Sequence, residues 1–274
     1  MTKTTDCAEC GGTVAPDGHC WDCGAPQPGF RAHVEITADG GAAGVSDRGR
    51  QRGVNADAMA LAMSGRWTIG VVCDGVSMSP RAERAAQVAA EVGASALAAR
   101  LRDGALPEDA LTDAAHRAGR AVAALAPSVD AAPACTFVAG IVGPEGIWTA
   151  GIGDSRVYWL PDAGPGTALT KDDTGEYEAL AAWLGADAGE PVPRLRSYRP
   201  AVAGRLLLCT DGLWRHRPEP DGLRAALARR RPPSAEDAGL LEEARSLVEL
   251  ALAAGGPDNI TALLIPVAPS VPAS

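Results

Sequence analysis

WTIGVVCDG, residues 67–75, is an apolar run that stops on an acid followed by glycine. Its length and apolarity read as a buried strand, and the Asp-Gly pair as its end. The same phrase recurs three times. IWTAGIGD closes on Asp154, RLLLCTD closes on Asp211, and AAGGPD places Asp258 just ahead of the strand-like ITALLIPV. Gly75, Ser155, Gly212 and Asn259 follow these acids, all small or turn-prone. One Asp-Gly between apolar runs is an ordinary hairpin turn, because both residues tolerate positive φ. Four acids at strand ends are another matter. Strand ends of a packed sandwich gather at one rim, where carboxylates repel and must take up protons or cations. Oxygen-only ligands suit Mg²⁺ or Mn²⁺ better than zinc.

The chain has 274 residues, enough for one large domain and something small beside it. A hydrophobic fraction of 46% supports a real core, and a net charge of −9 argues against nucleic acid as a partner. No apolar run approaches the ~20 residues that cross a bilayer, and the first residues, MTKTTDCAEC, carry no apolar signal region. A cytoplasmic location, with no membrane partner, is the expectation.

Four of the seven cysteines, Cys7, Cys10, Cys20 and Cys23, form C-x2-C-x9-C-x2-C in a glycine-rich stretch. The spacing reads as two zinc knuckles making one structural tetrathiolate site, closed to chemistry and stabilising a segment too short for its own core. The alternative, a pair of disulfides, requires an oxidising compartment. Cys73, Cys135 and Cys209 lie in apolar runs and read as small buried hydrophobes.

The expected domains are a ribbon over 1–24, a stiff linker over 25–31, a main domain over 32–268 and a disordered tail over 269–274. Strands are expected over 31–39, 58–63, 67–74, 135–142, 146–153, 156–160, 205–211 and 259–267. Alanine-rich stretches over 80–101 and 107–125 have helical period, the second with Pro107 at its first position. A short helix is expected over 176–184, an exposed loop over 191–200, a solvated face over 215–234 and a last helix over 235–254. Strands in runs and helices in a pair and then singly favour α+β with antiparallel sheets.

In order along the chain, SDRGRQRGVNAD, VVCDGVS, GIGDSRVYWL, LTKDDT, LLLCTDGLW and GPDNITALLI resemble the motifs of the metal-dependent Ser/Thr protein phosphatases, type 2C or PPM. The resemblance covers ~32–268. It implies a four-layer αββα sandwich of two antiparallel sheets. It implies hydrolysis of phosphoserine or phosphothreonine in proteins by a metal-activated water, with no protein nucleophile. Carried over by residue, Asp74 bridges two Mn²⁺ or Mg²⁺ ions, the Gly75 carbonyl binds one, and Asp211 and Asp258 complete the other. Asp154, with Asp211, matches a third and weaker metal. Arg52 matches the arginine that clamps phosphate with a bidentate fork. The sequence departs from the pattern at Ala56, where the family carries a glutamate supporting the second metal, at residues 76–80 and at Asp173. These departures imply activity that needs high Mn²⁺. The rival reading is a weak or inactive phosphatase-like regulator that binds a partner through the ribbon. For an active enzyme the implied partners are a phosphoprotein substrate and a bacterial Ser/Thr kinase that it opposes.

Cys209-x5-Arg215 imitates a tyrosine-phosphatase signature, but CTDGLWR puts an acid where the phosphate would sit. Gly151-Ile152-Gly153 has no third glycine and no following helix, so it is no dinucleotide loop.

Overall fold

The computed structural model describes residues 6–15, 18–25, 27, 29, 31–176, 179–230 and 239–270. Its strands are His33–Thr37 (β1), Ala43–Asp47 (β2), Asp57–Ser64 (β3), Trp67–Asp74 (β4), Ala134–Cys135 (β5), Phe137–Gly143 (β6), Gly146–Ile152 (β7), Arg156–Pro161 (β8), Thr167–Ala168 (β9), Leu184–Gly185 (β10), Arg194–Tyr198 (β11), Gly204–Cys209 (β12) and Ile260–Val267 (β13). Helices are Ala82–Arg102 (α1), Pro107–Ala123 (α2), Asp211–Trp214 (α3), Pro220–Arg230 (α4) and Leu240–Ala253 (α5). One sheet runs β1-β2-β13-β12-β8-β9 and the other β11-β7-β6-β4-β3, with β10 and β5 paired apart. Every pairing is antiparallel. This is the α+β sandwich implied by the motifs.

The two sheets press together through Val72, Val138, Leu206, Leu208, Leu263 and Ile265, all fully buried. Burying each such side chain contributes roughly 1.5–3 kcal/mol. Gly70 sits in this face because a Cβ there would lie 2.7 Å from Leu263 Cδ2 and 3.1 Å from Ile265 Cδ1. The outer faces are closed by helices. Alanines of α1 and α2, among them Ala85, Ala89, Ala114 and Ala118, pack on the β4–β6–β7 sheet with Leu97 and Leu111. Leu247 and Val248 of α5 cover Val45, Leu207 and Leu264 on the other.

Pro107 opens α2, as its fixed φ permits, with Glu108 and Asp109 in the first turn. Other expectations fail for identifiable reasons. Residues 191–200 are not simply loop: β11 is an edge strand held by backbone pairing to β7, its side chains mostly exposed. Charged residues such as Arg194 and Arg196 suit an edge because they discourage further pairing. Of the short helix expected over 176–184, Glu176 stands in a 3-10 turn and residues 177–178 lie outside the described residues, while a Thr174–Leu180 bridge and β10 occupy described positions around it. The stretch read as a solvated face carries α4, which buries Leu223 and Leu227 against the first sheet. α5 runs from Leu240, and residues 235–238 of the expected last helix lie outside the described residues. Strand β2 was not foreseen. Residues 271–274 of the expected tail lie outside the described residues. Among the described residues, no helix is long and apolar enough to cross a membrane.

Candidate metal centre

Sheet register decides what meets at the rim. β4 ends at Asp74, and β7, parallel to it across β6, ends two residues before Asp154. β12 ends at Cys209 opposite Arg156 of β8 and Ala262 of β13. That places Asp211 beside Asp154 on one side and beside Asp258 on the other. All four sequence-picked acids therefore reach one rim. Burial, followed by the charges of Asp57, Asp211, Asp154 and Asp258, drives Asp74 well above the carboxylate range. Asp154 is pushed up to about 6 by burial and then by Asp211 and Asp172. Asp211 is raised by burial and by Asp258, against the pull of Arg215. These are the signs of clustered like charges short of counter-charge.

Two guanidiniums lie on the cluster. Arg52 donates from Nε and Nη2 to Asp258 Oδ1 and Oδ2, at 2.7 and 2.6 Å. Arg215 Nε lies 2.8 Å from Asp211 Oδ2. The other oxygen of Asp211, Oδ1, is buried with no hydrogen-bond partner. An orphaned buried carboxylate oxygen costs stability unless something cationic meets it. The donor set is oxygen only, as Mg²⁺ or Mn²⁺ prefer. The residues fit such ions. The acid oxygens are not drawn together around one point: among the described residues only the four cysteines bring three or more ligand atoms within 4.8 Å.

The surrounding motifs hold the rim in shape. The Asp74 N–H donates to Thr136 Oγ1 at 3.0 Å, and Thr136 and Ser155 share a hydroxyl hydrogen bond at 2.7 Å. Asp173 accepts from the Gly153 N–H at 3.2 Å and from Arg194, so it props the corner before Asp154. Arg156 forks onto Asp172 and stacks 3.6 Å over the Trp214 ring, whose Nε1–H donates to the Asp154 carbonyl. Asn259 bonds the Ala56 N–H at 2.9 Å and the carbonyls of Arg48 and Val54, at 2.8 and 3.0 Å.

Sequence reading gave Asp57 no role, although it stands in the quoted NAD triplet. It is buried behind the cluster, where Thr210 and Thr261 hydroxyls donate to Oδ2 at 2.8 and 2.7 Å and Oδ1 has no partner. Desolvation pushes it up to about 7. Only its place beside Ala56 at the start of a strand could have flagged it.

At the other end, Cys7 and Cys23 Sγ lie 3.7 Å apart and Cys10 and Cys20 Sγ 3.5 Å apart. A tetrahedral ion with ~2.3 Å bonds to sulfur spaces its ligands about 3.8 Å apart. The backbone N–H groups of Glu9 and Asp22 point at the Cys7 and Cys20 sulfurs, and a hydrogen bond from the Cys10 backbone draws the Cys7 thiol down to about 7. All four are free thiols, and the cluster fits Zn²⁺. Gln27, in the expected linker, folds back: its side chain donates to Cys7 Sγ and accepts from the Ala8 N–H.

Residues 46–248 match the family model for protein phosphatase 2C. The serine/threonine protein phosphatase PstP of Mycobacterium tuberculosis is 33% identical over 174 residues, 56% of this chain and 32% of that protein. The chain thus spans about a third of the length of the curated relatives it matches. A crystal structure of the PstP catalytic domain with two manganese ions superposes at a TM-score of 0.60 and 28% identity, covering 86% of this chain and 99% of that one. A Streptococcus agalactiae serine/threonine phosphatase shares the fold, at a TM-score of 0.65 and 20% identity over 81% and 97% of the two chains. With its family model matched over most of its length and its acids gathered at one rim, the chain belongs to the protein phosphatase 2C family.

Proposed function

We propose that this chain hydrolyses phosphoserine and phosphothreonine in proteins, using divalent cations held at the rim. The observation that carries the reading is the cluster of buried carboxylates, each raising its neighbours' proton affinity, beside a bidentate arginine. Asp74, the Gly75 carbonyl, Asp211 and Asp258 would hold two Mn²⁺ or Mg²⁺ ions, and Asp154 with Asp211 a third. Bound there, such ions supply an activated water and neutralise charge developing on phosphorus. The chain's own contribution is geometric and electrostatic. Asp57 and the threonines behind it fix the strand ends. Arg52, 39% exposed and already forked onto a carboxylate, presents the same two donors to a phosphate. Desolvation keeps bulk water from screening the site.

The PstP structure with two manganese ions supports the choice of metal. We further infer that the four cysteines hold structural Zn²⁺. The ribbon over 1–24 then serves as a docking module for a signalling partner, with 32–268 as the catalytic domain. Opposition to a bacterial Ser/Thr kinase in the cytoplasm, where thiols stay reduced, completes the reading. Ala56 favours a second reading, a catalytically silent regulator.

Turnover of p-nitrophenyl phosphate and a phosphothreonine peptide across a Mn²⁺ titration separates the two. Wild type is expected to turn over with a requirement for millimolar Mn²⁺, and Asp211→Asn to lose at least 100-fold, as for removal of a transition-state contact worth roughly 3 kcal/mol. Zero turnover by wild type at millimolar Mn²⁺ selects the regulator.

A further inference from the structure

Arg52 touches the rim through Asp258 and also lines a cavity of about 370 Å³. Ala56 lies along one wall, Ser77 and Ser79 on the loop after β4, and Arg81 and Glu83 at the start of α1. The Ala56 carbonyl accepts from the Gly75 N–H at 3.1 Å, so this wall is the back of the Asp74-Gly75 corner. The volume falls in the range of ligand pockets. Small side chains make the room: Ala56 offers a methyl group and the loop offers two serines. Ala56 and residues 76–80 are where the sequence departs from the phosphatase motifs, and both departures meet at this cavity.

Charge is presented unevenly in this lining. Among the described residues that line it, the only carboxylate is Glu83, whose side chain is 13% exposed. Its Oε1 is buried and faces His19 Nδ1 of the ribbon at 3.8 Å, so that oxygen is withheld from the cavity. Arg81, by contrast, is exposed. Its backbone is left-handed, with φ 53° and ψ 39°. Side chains rarely adopt that region, and such outliers gather at ligand sites. The loop before it is pinned, since Ser79 Oγ donates to the Val76 carbonyl at 2.9 Å and accepts from the Ala134 N–H at 3.1 Å. Arg81 thus shares the cavity with Arg52, on a base that the loop holds in place.

We propose that this cavity is a substrate subsite taking an acidic side chain next to the phosphoserine or phosphothreonine, with Arg81 as its specificity-determining residue. With a phosphate on Arg52, the neighbouring peptide residue has the cavity beside it. A carboxylate reaching in meets the Arg81 guanidinium, and the Ser77 hydroxyl is a second donor. This inference rests on the phosphoprotein reading above and deepens it by naming a substrate class.

The test uses the full zinc-loaded chain with millimolar Mn²⁺ and phosphothreonine peptides identical except for one Glu or Gln, placed in turn at the positions flanking the phosphoresidue. Wild-type kcat/KM is expected to favour Glu over Gln about 3–5-fold at one position, the scale of an exposed ion pair. The preference should be carried by KM, as uniform binding is, and fade in high salt. Arg81→Gly, which suits the left-handed backbone, is expected to bring the ratio to about 1, and Arg81→Glu to favour a Lys peptide instead. Each ratio is internal to one protein, so a general loss of activity does not imitate the result. No Glu preference at any position in wild type overturns the proposal, and so does a preference that survives Arg81→Gly. If wild type turns over no peptide, the phosphatase reading fails and the same pairs are compared by fluorescence anisotropy. A Glu preference in binding that Arg81→Gly abolishes then supports the subsite in a protein that binds without turnover, and equal binding overturns it.

Discussion

Asp57→Asn isolates what it costs to bury an acid behind the rim. In the folded chain desolvation, and then Asp211 and Asp258, push Asp57 from 3.8 up to about 7, while the hydroxyls of Thr261 and Thr210 pull the other way. A carboxyl whose folded value lies above its unfolded one contributes its stability below pH 3.8. It loses that contribution as pH climbs through 7. At about 1.36 kcal/mol per pH unit over roughly three units, the ceiling by pH 8 is on the order of 4 kcal/mol. Relaxation of nearby dipoles and water entry absorb part of this, leaving about 2 kcal/mol. Asparagine keeps an acceptor for both threonines and does not titrate. With zinc retained and no Mn²⁺ or Mg²⁺ added, the variant should therefore melt above wild type by ~4–8 °C at pH 8. The gap should narrow to ~1.5–3 °C at pH 5, where little more than a third of the interval between the two values has been crossed. Scanning calorimetry at the two pH values reads this directly. A variant less stable than wild type at pH 8 would refute the reasoning, because the ionised acid would then be contributing stability rather than costing it.

Two further outcomes follow from the same geometry. Asn259→Ala strips partners from the Ala56 N–H and from the carbonyls of Arg48 and Val54, and should cost about 2–4 kcal/mol in a urea melt; a loss below ~1 kcal/mol would mean water replaces the side chain there. Arg215→Gln removes an exposed guanidinium that competes for Asp211, so Mn²⁺ affinity should rise roughly 2–5-fold, given that exposed ion pairs are worth at most about 1 kcal/mol; unchanged or weaker affinity in titration calorimetry would show that the arginine does not compete with the ion.

What could be read in advance followed from where local chemistry dictates structure. Asp74, Asp154, Asp211 and Asp258 were legible because each sits where an apolar run must stop, and a stop is a local event written by Asp, Gly and Ser. Helix α2 was legible for the same reason, with its proline and acids at the start. Strand β11 was not. RLRSY carries no apolar alternation, and it is a strand because β7 offers a free row of backbone groups. β2 is five short residues stabilised by β1 and β13 on either side. α4 was hidden because only Leu223 and Leu227 show its buried face amid polar neighbours.

The site divides along the same line, and this explains why Asp57 escaped notice while Asp74 did not. Asp74 and Asp57 are directly paired across β3 and β4, so one hairpin carries both. Asp74 declares itself by ending a strand. Asp57 begins one, and what makes it unusual is the pair of hydroxyls arriving from 153 and 204 residues further along the chain. The Arg52–Asp258 fork spans 206 residues. A sequence states which residues are able to ionise, but a proton affinity is set by the company each keeps, and that company is assembled only when β12 and β13 close against β3 and β4. Hence the acids could be named from the chain alone, whereas their partition was visible only in the fold. Asp258 is forked by one guanidinium, Asp211 half-met by another, and Asp57 left to threonines.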